Sequence, residues 1–196
     1  MTVRRFRVDG ELPSDWRSTF GPALSEHAFP ESPTPRGGEE VEGWVLVGDL
    51  LANRFDDLNR WQFDDWLIFA LRVDKKRLPA KLFTATLNRR CEAWCVDRGT
   101  ESCPASVRTE LKDALEDEWY ARALPTVAVT EAAWELSTGT VWLHSLSDSV
   151  ADRFRKRFLR TFQRTLVPWS PLDFLTSTAD VERLMATAPG ELGGAS

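Results

Sequence analysis

The stretch DWLIFALRVDKKRLPAKLF, residues 65–83, changes character in its middle. Asp65 to Lys76 is dense in apolar and aromatic side chains, the composition of a strand inside a sheet. A basic turn, Lys75-Lys76-Arg77, then leads to Leu78-Pro79. Proline suits a first helical position, because the N–H it lacks would find no partner there. A helix is therefore expected from Pro79 to about Arg98-Gly99. After Ser102-Cys103-Pro104 the chain restarts as ASVRTELKDALEDEWYARAL, with Val107, Leu111, Ala114, Leu115 and Trp119 as the apolar stripe of a second helix. These helices make a hairpin, an arm inserted at about 79–123 between two strands.

Outward from the arm, TVAVTEAAWEL and TVWLHSL flank Ser137-Thr138-Gly139 and predict a β-hairpin. Upstream, TVRRFRVDG reads as a strand. PSDWRSTFGPALSEHAF reads as a helix capped by Ser14, with a break or kink at Gly21-Pro22. Residues 30–38 are loop-like, GWVLVG (43–48) is strand-like, and LLANRFDDLNRWQF suits a loop or short turn. A helix follows the hairpin. The order β-α-β-β-(α-α)-β-β-α defines an α+β fold, an antiparallel sheet packed with helices and carrying a helical arm. Residues 1–175 form one domain in this reading. Residues 176–196 form a partly disordered tail, with a short helix in TADVERLMAT and disorder in PGELGGAS.

The last helix of the domain carries the most unusual charge pattern. The chain has 196 residues and a formal net charge of -5. Yet DSVADRFRKRFLRTFQRTLVP, residues 148–168, holds six basic residues. Placed on a helix, Val150, Ala151, Phe154, Phe158, Phe162 and Leu166 share one side. Arg153, Lys156, Arg157, Arg160 and Arg164 share the other, with no acid among them, and Arg155 lies at the apolar margin. Ser147 or Ser149 caps the start and Pro168 stops the helix. Solvated helix faces usually mix both signs. An all-cationic face suggests a polyanionic partner, or acids supplied from elsewhere in the fold. A second basic block, residues 71–90, includes Lys75, Lys76, Arg77 and Lys81.

Other chemistry has little support. Cys91, Cys95 and Cys103 lack the paired spacing of a zinc site, and His27 and His144 stand alone. No glycine-rich nucleotide loop occurs, and no cofactor is expected. Asp64 with Asp74-Lys75-Lys76 loosely imitates the metal-binding set of a Mg²⁺ nuclease, but solvated strand-end charge explains it better. No apolar run approaches the ~20 residues that span a bilayer, and the N-terminus lacks the apolar core of a signal peptide. An odd number of cysteines without an export signal fits reduced thiols in the cytoplasm. Trp44, Trp61, Trp66 and Trp134 read as core residues rather than base-stacking platforms.

Several stretches, in order, resemble the RdgC-type recombination-associated proteins of bacteria. FPESP followed by GWV (29–45) is similar to the family's N-terminal loop and strand. LIFALRVDKKRLPAKLF (67–83) resembles its strand, basic turn and first arm helix, and ELKDAL (110–115) its second. Trp134, Thr138-Gly139 and the segment Ser147–Pro171, with its TLVPWSP exit, continue the likeness, which covers most of residues 25–175. The resemblance implies a nucleoid-associated DNA-binding protein without enzymatic activity, a homodimer, and a link to the RecA recombinase.

The residues alone show no device for reading bases, so any DNA contact is expected to be sequence-independent, with double-stranded DNA favoured. Arg153, Lys156, Arg157, Arg160 and Arg164 would form one phosphate-contacting stripe, and Lys75, Lys76, Arg77 and Lys81 a second. The alternative is a protein-interaction module whose basic helix docks on an acidic partner, for which the acid-rich region 36–66 of another subunit is a candidate.

Overall fold

A computed structural model of the chain describes residues 2–31, 38–170 and 178–186. Its strands are β1 (Arg4–Val8), β2 (Glu40–Val45), β3 (Gln62–Phe63), β4 (Trp66–Lys76), β5 (Pro125–Glu135), β6 (Thr140–Leu143) and β7 (Leu166–Pro168). Its helices are α1 (Trp16–Glu26), α2 (Ala80–Arg98), α3 (Ala105–Arg122), α4 (Asp148–Phe162) and α5 (Thr178–Ala186). The strands form one antiparallel sheet in the order β2-β4-β5-β6-β1-β7, with β3 pairing on β4 beyond the end of β2. The α+β fold with its inserted arm is thus present. At its centre, β4 meets β5 from Trp66↔Glu135 to Lys76↔Pro125 without a bulge.

Helices α1 and α4 cover one face of the sheet. Alternation along the strands sends Phe6, Val8, Trp44, Phe69, Leu71, Trp134 and Leu143 to that face. Helix α4 answers with Phe154, Phe158 and Phe162, and α1 with Trp16, Phe20 and Leu24. Trp44 is fully buried, with ring centroids 5.1 Å from Phe69 and 5.5 Å from Phe154. Its indole N–H donates to Thr161 Oγ1 at 2.7 Å, so the one polar atom of this large side chain is satisfied by the helix above it. On the opposite face a smaller cluster gathers Phe29, Val45 and Ala70. The chain at Ala28-Phe29 crosses directly over Gly43, where any Cβ would collide with the backbone of Phe29. A third cluster, Leu87, Cys91 and Leu115, belongs to the arm.

Four local expectations are corrected. Helix α1 is N-capped by Asp15 rather than Ser14, without a side-chain cap bond, and it runs unbroken through Pro22. Gly21 serves close packing there, since a Cβ would lie 3.0 Å from the Phe55 carbonyl oxygen. Strand β2 begins at Glu40, three residues before the expected start, and ends at Val45. Pro79 is the N-cap of α2 rather than its first helical residue. Most consequentially, α4 stops at Phe162, not at Pro168. Gln163 takes the left-handed conformation (φ 55°), and Leu166–Pro168 pairs with β1 as β7. Leu166 is buried in either reading, so helical periodicity alone could not separate them. Of the expected tail, TADVERLMAT contains α5, while 187–196 and loop residues 32–37 lie outside the described residues.

Truncating Phe158, fully buried between Phe154 and Phe162, should destabilise the fold by about 3–5 kcal/mol. Leu159→Ala, one residue on and 45 % exposed, should stay within about 0.5 kcal/mol. Urea denaturation of both variants checks the orientation of α4.

Candidate nucleic-acid interface

Strand β2 places the charges. Its alternation puts Glu40, Glu42 and Trp44 on the face that carries the helices. Trp44 lies under α4, so the two glutamates continue outward along the same helix. Opposite Glu40 in the ladder stands Lys75 of β4. Lys75 Nζ donates to Glu40 Oε1 at 2.9 Å, and Arg153 of α4 binds the other oxygen of the same carboxylate. Arg153 also lies 3.8 Å from Glu42, whose second oxygen is 3.7 Å from Arg157. The two basic blocks, distant in sequence, therefore meet on the acids of β2. The acid-rich region serves the basic helix within one chain.

The nine expected contact residues fall into distinct environments. Lys156 and Arg160 lie exposed on the outer side of α4, and no described residue gives either an ion pair. Arg153 and Lys75 are half-buried in the glutamate cluster. Arg157 is held inside: its side chain is 14 % exposed and its Nη2 donates to the carbonyls of His27 and Glu42 at 3.0 and 2.9 Å. Burial pulls its guanidinium below the ordinary arginine pKa; Glu42 opposes this shift and Arg160 adds to it. Lys76 points to the other face from Lys75, and its Nζ donates to the Tyr120 carbonyl at 2.7 Å, tying β4 to α3. Arg77 and Lys81 are exposed at the root of the arm. Arg77 borders a cleft of about 440 Å³ shared with Leu82, Trp119 and Leu124. Arg164 lies beyond the helix and rests against Gly10. The structure thus gathers Lys75, Arg153, Lys156, Arg157 and Arg160 around β2 and α4, and leaves Lys76 and Arg164 apart from them.

The nuclease-like set is not assembled. Asp64 sits in the β3–β4 turn, while Asp74 is eight residues along β4 from Trp66, so the two lie about 30 Å apart. Asp74 is also not solvated strand-end charge. It is fully buried, and Arg72 grips both its oxygens, Nε to Oδ1 at 2.8 Å and Nη2 to Oδ2 at 2.6 Å. The same guanidinium lies 4.0 Å from the centroid of the Phe29 ring. The three cysteines are free thiols on the arm, and Arg108 approaches Cys91 Sγ at 3.6 Å. Burial, and then a hydrogen bond with Cys91, push the Cys103 thiol above its usual pKa. Among the described residues no group of three or more His, Cys, Asp or Glu side chains could hold a metal ion, and no helix is long and apolar enough to cross a membrane.

Of the four tryptophans read as core, Trp44, Trp61 and Trp134 are buried, while Trp66 is only half-buried. A further cationic–aromatic cluster was missed. The Arg5 guanidinium lies 5.4 Å from the Trp142 ring and 5.5 Å from the Trp169 ring. Arg5 and Trp142 are direct cross-strand partners, so the signal lay in the β1–β6 register, which sequence spacing does not give.

No protein-family model matches the chain, and no curated protein sequence matches it.

The glutamate cluster has a consequence for acid stability. The Lys75 hydrogen bond, aided by Arg153, holds Glu40 below the ordinary carboxylate range. Its contribution is then fully present above the unfolded carboxylate pKa and is lost as pH falls through the lower folded value. Because Glu40 is one-third exposed, the effect should be at most about 1 kcal/mol. Glu40→Gln should lower stability at pH 7 and flatten this part of the acid limb, as read by urea denaturation between pH 7 and pH 3.

Proposed function

We propose that the protein binds double-stranded DNA without sequence preference, through phosphate contacts on the surface formed by α4 and the adjoining ends of β2 and β4. The observation that carries this reading is the convergence of Lys75 and Arg153 on Glu40, beside the exposed Lys156 and Arg160. Three cations, Lys75, Arg153 and Arg157, share two carboxylates, so the cluster keeps an excess of positive charge that the outer helix face enlarges. Arg157, fixed by two carbonyls, acts as the strap that holds α4 against β2. Lys156, Arg160, Arg77 and Lys81 are the side chains that can reach a phosphate without breaking an internal contact. Glu40 is the group a phosphate would displace from Lys75 and Arg153. The resemblance to RdgC-type proteins supports the same class of function and adds a homodimer with a role in recombination.

The ion pairs themselves favour a second reading. A helix already partnered by Glu42 and Glu40 is shaped to accept carboxylates, so an acidic protein surface is the competing ligand. Competition separates the two. General polyanions displace DNA from an electrostatic surface, whereas a protein partner requires shape complementarity.

If four or five cations contact phosphate, the log–log salt slope of binding should be about -4. Lys156→Glu combined with Arg160→Glu should weaken binding by at least tenfold on every duplex sequence alike. Fluorescence anisotropy with random-sequence duplexes at several salt concentrations measures both. Unchanged affinity in the double variant removes α4 from the site.

A further inference from the structure

The arm holds all three cysteines of the chain, and its fold brings them to one place. Cys91 and Cys95 stand one turn apart on α2, and Cys103 lies just before Pro104, the N-cap of α3. An open cleft of about 500 Å³ is lined by Cys91, Cys95, Cys103 and Arg108 together. Cys91 is 5 % exposed and belongs to the small core of the arm. Cys103 packs against that core and is hydrogen-bonded to Cys91. Arg108 Nη1 donates to the Cys91 sulfur at 3.6 Å, while its Nη2 is anchored on Asn88 Oδ1 at 2.9 Å. Packing alone does not call for a guanidinium on a core thiol. A cation beside a sulfur that borders a cleft is the setting of a reactive cysteine.

We propose that Cys91 and Cys103 are a peroxide-oxidised pair that closes a reversible disulfide across the end of the arm. The Cys91 sulfur, as thiolate, attacks one oxygen of hydrogen peroxide. The O–O bond breaks, and the other oxygen leaves as hydroxide and takes up a proton to become water. Cys91 is then a sulfenic acid. The Cys103 sulfur attacks the Cys91 sulfur, the S–O bond breaks, and the departing oxygen takes the Cys103 proton as a second water. The peroxide gains the two electrons that the two thiols lose. Geometry selects the pair. Residues four apart on a helix keep their Cβ atoms about 5–6 Å apart, whereas a disulfide needs about 3.5–4.5 Å, so Cys91 and Cys95 cannot join while α2 is intact. Burial and the neighbouring Cys91 hold the Cys103 thiol above its usual pKa, which makes Cys91 the sulfur that attacks first. With Cys91 nearly covered, a small oxidant that enters the cleft is favoured over a bulky disulfide such as oxidised glutathione. In a reducing compartment such a bond is transient and follows the oxidant. Its consequence is mechanical. It fastens the turn between α2 and α3 to the body of α2. The core of the arm is only Leu87, Cys91 and Leu115, so a covalent tie adds most there. This goes beyond the DNA-binding reading and does not depend on it.

Treating the reduced full chain with a slight molar excess of hydrogen peroxide tests the proposal. Ellman's reagent counts the remaining thiols, and non-reducing peptide mass mapping locates the bond. Two of the three thiols should disappear into a Cys91–Cys103 disulfide within one chain, with Cys95 left as a thiol. Dithiothreitol should restore all three. Cys95→Ser should form the same bond. Cys103→Ser should stop at a sulfenic acid on Cys91, which dimedone traps. Both substituted residues are only half-buried, and the wild-type map decides the matter if either variant fails to fold. Amide hydrogen exchange between Leu87 and Leu115 should slow by about tenfold in the oxidised protein. A bond that includes Cys95, a link between two chains, dimedone labelling of Cys95 in place of Cys91, or no loss of thiol overturns the proposal. An arm whose exchange is unchanged by the bond overturns its mechanical consequence. DNA affinity is not a readout here, so the thiol pair and the cationic surface can fail independently.

Discussion

The packing of Phe154, Phe158 and Phe162 onto Trp44, Phe69 and Trp134 is the contact on which the rest of the body depends. Three phenylalanines at four-residue spacing form one helical ridge. Only a sheet face rich in large aromatics can fill the space around them. That demand accounts for much of the aromatic stock of the chain. The Trp44–Thr161 hydrogen bond adds direction to a contact that is otherwise apolar, because it is satisfied at a single position of the helix along the sheet. Once α4 is held there, its cationic side has no choice but to project over the ends of β2 and β4.

The electrostatics follow from that placement. A helix whose exposed face is wholly basic carries internal repulsion. Glu40 and Glu42 relieve it at the end nearest the arm, while Lys156 and Arg160 receive no relief from described residues. The surface is therefore graded: neutralised and anchored at Arg157, shared at Arg153 and Lys75, open at Lys156 and Arg160. In the proposed function the anchored part sets the geometry and the open part meets the ligand.

What could be read in the sequence depended on range. The run Asp65–Lys76, the two arm helices and the turn at Ser137-Thr138-Gly139 are decided by neighbours in the chain, and the structure has each of them, with the first arm helix starting at Ala80 rather than Pro79. The end of α4 was misplaced because Leu166 satisfies a helical stripe and a buried strand equally well; β1, far away in sequence, decides between them. The environment of Asp74 was misread for a related reason. Its parity on β4 turns it toward Phe29 and Arg72, and nothing local reveals which face the loop at Ala28-Phe29 covers. Arg164, expected on the basic face, lies beyond the end of the helix, but from Arg153 to Arg160 that face was visible. Its acids were not, since an i,i+4 inspection of the helix cannot see a glutamate on an adjacent strand.

The strand order also constrains the sequence of events during synthesis. Among the described residues strand β1 pairs with β6 and β7 alone, so Arg4–Val8 has no ladder partner there until Thr140–Leu143 has left the ribosome. The arm differs: α2 and α3 are joined by a short turn and share a small core of their own. Vectorial synthesis therefore completes the arm while the first strand still waits, and the body closes last, around a joint between the two ends of the domain. Until then the apolar side of β1, Phe6 and Val8, is exposed to whatever else is nearby, which makes the N-terminal strand the segment most dependent on prompt completion of the chain.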